Sequence, residues 1–168
     1  KALQEMARNR LTSTQRIQAA ESIYGQDVLS SVLQADIENL RQISMDEDRD
    51  TFQTAVEKIV HARHIYILGA RSSTHLAGYL YFYMQMMFEN VTLVQASAAG
   101  EIFEQLFHSG EGDIMIAFSF PRYSKDTINA VRFARSRGAE IVAITDQKQS
   151  PVAQISSAAL LAPSEMMS

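Results

Sequence analysis

The sequence predicts a parallel α/β fold of three layers, with a five-stranded sheet covered by helices on both faces and further helices ahead of it. Three observations carry this. From His64 onward, short continuous apolar runs recur, each bounded by glycine or polar residues, which is how strands buried on both faces read. Between these runs lie longer stretches with helical periodicity, and strand–helix–strand repeats close by right-handed crossovers into a parallel sheet. The chain of 168 residues, 46% hydrophobic and 20% charged, is also large and apolar enough to bury a substantial core.

The first half reads as helical. Residues 1–11 form a short amphipathic stub, and Ser13 or Thr14 can cap a second helix through Tyr24. Gly25 and Asp27 introduce a longer helix in which Leu29, Val32, Leu33, Ile37, Leu40 and Ile43 recur at three- and four-residue spacing. The acidic segment from Met45 through Asp48 reads as a solvated turn. It leads into a helix with Phe52, Val56, Ile59 and Val60 on one face.

The texture changes at His64. Strands are expected over 65–68, 91–94, 114–118, 141–144 and 158–161, with helices over 73–88, 99–107, 125–137 and 151–156. There is no internal repeat and no low-complexity tract.

Composition excludes several classes of function. A net charge of -4 gives this chain no overall footprint of nucleic-acid binding, although backbone amides and an arginine can hold an anion locally. The absence of cysteine rules out disulfides, thiolate metal sites and a cysteine nucleophile, and agrees with an expected cytoplasmic location. The richest apolar stretch, 76–88, is too short to span a membrane, and nothing reads as a signal peptide. Because the first residue is Lys1, the sequence is expected to continue upstream.

In a parallel sheet of this kind, ligands sit beyond the carboxyl ends of the strands, where the strand order reverses. The loop after the first strand reads Gly69-Ala70-Arg71-Ser72-Ser73-Thr74 and opens a helix. Glycine permits a tight turn, the hydroxyls and the helix amides donate, and arginine offers a fork of donors. The set suits an anion, while the plainer alternative is that Ser72, Ser73 and Thr74 cap the helix. The loop after the third strand, Ser119-Phe120-Pro121-Arg122-Tyr123-Ser124, repeats the combination. In a sheet ordered 2-1-3-4-5 these two loops flank the reversal point, and two hydroxyl-rich loops there favour phosphate binding over coincidental capping.

Other residues are weaker candidates. Glu101, near a helix start after the second strand, can accept from sugar hydroxyls or simply favour the helix dipole. His75 can be an acid or base, or an ordinary histidine in a first turn. His61, His64 and His108 lack metal-ligand spacing, so no metal is expected. The stretch from Tyr79 to Phe88, with Met84, Met86 and Met87, is apolar nearly all round and fits a core or a subunit interface. Arg71 and Thr74 occupy two positions that a dinucleotide fingerprint gives to glycine, which disfavours NAD; no cofactor is expected.

Ile67 through Ser73, Asp113 through Ser124, and Gly138 through Asp146 followed by Ser150-Pro151 resemble the SIS (sugar isomerase) domain, in the version found in RpiR/MurR-type transcription regulators. The resemblance covers about the last two-thirds of the chain and implies a flavodoxin-like domain that binds phosphosugars. Carried over, Ser73, Ser119 and Ser124 match hydroxyls that contact phosphate, and Glu101 matches a glutamate that often faces the sugar. The chain departs from the general pattern at Arg71, where a second glycine is usual, and at Pro121, where a serine is usual. Both departures are familiar in the regulator branch and favour sensing over isomerisation.

The resemblance further implies that residues 1–11 are the trailing helix of a helix-turn-helix domain absent here, that 12–48 form a helical linker, and that 49–168 are a SIS domain lacking its closing helix. The expected function is a sugar-phosphate-sensing effector domain without catalytic residues. Its ligand site comprises Arg71, Ser72, Ser73, Glu101, Ser119, Arg122 and Ser124. Its expected partners are a sugar phosphate, DNA through the absent domain, and further copies of itself as a homodimer or homotetramer. The alternative is a sugar-phosphate isomerase or deaminase with Glu101 or His75 as base.

Overall fold

The computed structural model describes residues 27–46, 49–95 and 99–163, and divides into two units at Asp46. In the first unit, helix α1 spans Val28–Asp46. Its start follows from Asp27, whose carboxylate accepts from the Ser30 backbone N–H at 3.1 Å. A bond from the Ser30 hydroxyl and this backbone bond, in that order, lower the pKa of Asp27. The helices expected over 1–11 and 13–24 lie outside the described residues.

The second unit runs in the order α2 (Arg49–Val60), β1 (His64–Gly69), α3 (Ser73–Met87), β2 (Val91–Val94), α4 (Ala99–Gln105), β3 (Asp113–Ser119), α5 (Lys125–Ser136), β4 (Glu140–Thr145), a 3-10 turn (Ala153–Ile155) and β5 (Ala158–Leu161). The strands form one parallel sheet ordered β2-β1-β3-β4-β5. β3, the central strand, is buried along its whole length, which explains its unbroken apolar run.

Side-chain alternation along the strands splits the core in two. Tyr66, Leu68, Met115, Ala117, Ile141 and Ala143 face α4 and α5, meeting Ile102, Leu106, Ala130, Val131 and Ala134. Ile65, Ile67, Ile114, Ile116, Phe118 and Val142 face α2 and α3, meeting Ala55, Ile59, Ala77, Leu80 and Met84. The helix after β1 thus covers one face and the helix after β3 the other.

Two expectations are corrected. On α2 Ala55 is buried and Ile59 partly so, with Ala62 just past the helix end beside them, while Phe52 and Val60 are exposed. The small side chain of Ala55 lets the helix axis approach the sheet, and this rotates Phe52 outward. The stretch expected to be helical over 151–156 forms only a 3-10 turn, started by Ser150, whose buried hydroxyl accepts from the Ala153 N–H at 3.2 Å.

At the amino ends of the strands, Arg63 forks onto Asp113, with Nε and Nη2 each 2.9 Å from a carboxylate oxygen. Beside them His64 lies half-buried, its Nε2 2.8 Å from the Thr92 hydroxyl and its ring 4.5 Å from that of Tyr66. Burial pulls the His64 pKa below its usual 6.5, with Arg63 acting the same way and Asp113 opposing. The unfolded chain therefore takes up this proton first as pH falls, and the fold loses stability below about pH 6.5. The melting temperature is expected to drop from pH 7.5 to pH 5.5, with a shallower drop in His64→Gln. Parallel pH profiles for the two proteins would refute this.

Candidate functional site

The reversal point lies between β1 and β3. These strands are hydrogen-bonded neighbours whose ends are level, Gly69 beside Phe118, yet the helices they feed leave to opposite faces of the sheet. Their loops therefore diverge and leave a crevice above the strand ends.

On the β1 side, Gly69 allows α3 to start almost against the strand. A Cβ at this position would stand 2.3 Å from the Ser73 carbonyl oxygen. The turn is held by Ser73 N–H to Ala70 O and Thr74 N–H to Arg71 O, both 3.1 Å, and by the Thr74 hydroxyl donating to Gly69 O at 3.1 Å. Arg71 sits in the left-handed region, with φ 56°. Ser72 occupies the cap position but makes no side-chain cap bond, so capping does not account for its hydroxyl. Ser73 is buried; Arg71, Ser72 and His75 are exposed.

On the β3 side, Ser119 ends the strand level with Thr145 of β4. The Thr145 hydroxyl donates to the Ser119 carbonyl at 2.6 Å and lies 3.1 Å from Asp146 Oδ1. Arg122 again takes a left-handed backbone, with φ 67°. Tyr123 donates its phenolic O–H to Asp146 Oδ1 at 2.8 Å and accepts from Gln147 Nε2 at 3.1 Å, which ties the loop down to the end of β4. Ser124 caps α5 by position only, without a side-chain bond.

The Ser119 side chain decides the character of this place. It is 4% exposed, and its Oγ is the one buried side-chain oxygen or nitrogen among the described residues without a hydrogen-bond partner. Strand alternation puts it on the face shared with α4 and α5, opposite Phe118. An orphaned buried hydroxyl costs about 1–3 kcal/mol, so a water or a ligand that completes it at this strand end is favoured.

Of the residues expected from sequence, Arg71, Ser72 and Ser73 stand on one side of the crevice and Ser119, Arg122 and Ser124 on the other. Glu101 comes from a third element, the first turn of α4; it is exposed, and its backbone carbonyl accepts from Gln105 Nε2 at 3.0 Å. Gln105 also exchanges bonds of 2.9 and 3.1 Å with the Gln95 backbone, anchoring α4 to the end of β2. The Tyr123–Asp146 latch was not singled out from sequence. Its one signal was Asp146 directly after β4, where strand ends carry function.

A parallel sheet ordered β2-β1-β3-β4-β5, with helices on both faces, defines a doubly wound α/β domain whose strand order reverses between β1 and β3. The chain belongs to the SIS family, whose domain matches residues 58–168. The sugar isomerase domain of the RpiR transcription factor from Sphaerobacter thermophilus is 30% identical, with a TM-score of 0.76 over 83% of this chain and 78% of that one. The NanR protein of Vibrio vulnificus, solved in complex with ManNAc-6P, shares the fold with a TM-score of 0.72 at 20% identity, over 92% of this chain and 58% of that one. A glutamine–fructose-6-phosphate aminotransferase (isomerizing) from Pyrobaculum aerophilum is 32% identical over 95 residues, or 56% of this chain; the match spans only 15% of that relative's length. The resemblance read from the two loops and the Ile-Thr-Asp segment is borne out.

Proposed function

We propose that this chain is the sugar-phosphate-sensing part of a transcription regulator of carbohydrate metabolism, with the phosphate seated between the β1–α3 and β3–α5 loops. The observation that carries this is the buried, unpartnered hydroxyl of Ser119 between two helix starts whose own cap hydroxyls are uncommitted. Helix amides and hydroxyls on two loops that flank the reversal point favour a phosphate dianion. Ser73, Ser119 and Ser124 contact the phosphate, Arg71, Ser72 and Arg122 line the rim, and Glu101 faces the sugar hydroxyls. Similarity to the RpiR sugar isomerase domain supports a regulatory reading.

In this reading residues 1–11 end a helix-turn-helix domain, 12–48 link it to the sensor, and 49–168 bind the effector. The effector acts by favouring one of two subunit arrangements, which requires different affinity for the two. The face of α3 bearing Tyr79, Phe82, Tyr83 and Met86, apolar and uncharged yet exposed, suits contact with a second copy.

Phosphorus NMR of the protein mixed with hexose, pentose and amino-sugar phosphates tests the assignment. A sensor shifts or broadens one resonance and yields no new compound. Ser119→Ala is expected to weaken that binding by about 1–3 kcal/mol, the worth of a charge-assisted hydrogen bond, and unchanged affinity would remove the site. The alternative, an isomerase or deaminase, draws on the likeness to the isomerizing aminotransferase and requires a growing product resonance.

A further inference from the structure

Arg71 and Arg122 are the only non-glycine residues with positive φ among the described residues, one in the loop after β1 and one in the loop after β3. For a residue with a Cβ, each such conformation costs about 1–2 kcal/mol that glycine would avoid. Both residues are exposed, and neither forms an ion pair among the described residues. The Asp146 carboxylate at the end of β4 already accepts from Tyr123.

We infer that the ligand of this site carries a second acidic group besides its phosphate, and that Arg71 and Arg122 are the specificity-determining pair that reads it. This rests on the phosphate reading above. A phosphate monoester presents three terminal oxygens, and in the phosphate reading three hydroxyls with the amides of two helix starts meet them. Two guanidinium groups, each with five donors in a planar fork, are then surplus to the phosphate. That fork matches a carboxylate or a second phosphoryl group in two parallel hydrogen bonds. A neutral sugar closing over the pair would strip water from two cations and return no counter-charge, so the arginines also select against it. Carrying arginine where glycine would relax the backbone is consistent with strain retained at a binding site.

Calorimetry at fixed ionic strength tests the pair on four probes. Glucose 6-phosphate and fructose 6-phosphate are the neutral sugars; 6-phosphogluconate adds a carboxylate and fructose 1,6-bisphosphate a second phosphate. One acidic probe is expected to bind about 30-fold more tightly than its neutral counterpart, and which one does so distinguishes the two groups. The double variant Arg71→Gly/Arg122→Gly is expected to shrink this ratio to about 3-fold or less while melting at or above the wild-type temperature, because glycine relieves both left-handed positions. Lost selectivity in a protein of undiminished stability is an effect that misfolding cannot produce. Equal affinity for acidic and neutral probes, or a preference that survives both substitutions, overturns the inference and leaves Ser119-dependent phosphate binding intact. Failure of all four probes to bind the folded protein overturns it together with the phosphate reading beneath it.

Discussion

Gly69→Ala is expected to destabilise the fold by about 3 kcal/mol, the upper end for overpacking a core, and to abolish the proposed phosphosugar binding with it. The added Cβ would lie 2.3 Å from the Ser73 carbonyl oxygen, 2.7 Å from its carbonyl carbon and 3.0 Å from the Ala77 Cβ. Two of these are backbone atoms of the first turn of α3, so no flexible side chain can yield. The helix must lift from the sheet, carrying Ser72 and Ser73 away from Ser119. Gly78→Ala, in the same helix with open space around it, is the matched control and should stabilise by about 0.5–1 kcal/mol. Urea unfolding of both variants checks the contrast, and a Gly69→Ala protein as stable as wild type would show that the close approach does not constrain the loop.

Asp113→Ala is expected to cost about 2–4 kcal/mol, because this carboxylate serves three donors in a nearly dry position. Its side chain is 1% exposed; it accepts both Arg63 bonds and, at 2.9 Å, the Gly110 backbone N–H. The partner is unlike it, since the Arg63 side chain is 64% exposed and can rehydrate. Arg63→Ala therefore strands a buried charge, whereas Asp113→Ala strands mainly the Gly110 amide. Once Asp113 is gone, removing Arg63 should cost less than about 0.5 kcal/mol, the range of an ordinary surface change. Additive losses across the double-mutant cycle would mean that the two residues act independently.

Much of the scaffold was legible because one signal dominates it. In β3, from Asp113 to Ser119, burial on both faces demands an unbroken apolar run, and local spacing reports that directly. The end of α5 was equally plain: Gly138, with φ 97°, ends the helix in the left-handed conformation while the Ala139 N–H returns to Ala134 O at 3.1 Å. Helix α2 was misread because periodicity weights large side chains, whereas Ala55 is buried for its smallness. The latch between Tyr123 and Asp146 was missed because its partners lie 23 residues apart and meet only when β3 and β4 pair.

By itself the sequence determined that the fold is a parallel α/β sheet with hydroxyl- and arginine-bearing loops after its first and third strands. Those features are local, set by side-chain periodicity and by the residues that follow each apolar run. Only the tertiary structure decided that the two loops flank one crevice, that Ser119 is buried there without a partner while Ser72 and Ser124 leave their helices uncapped, and that both arginines hold left-handed backbones. Each of these depends on β1 pairing with β3 across 43 intervening residues and on their helices departing to opposite faces, which no local pattern encodes.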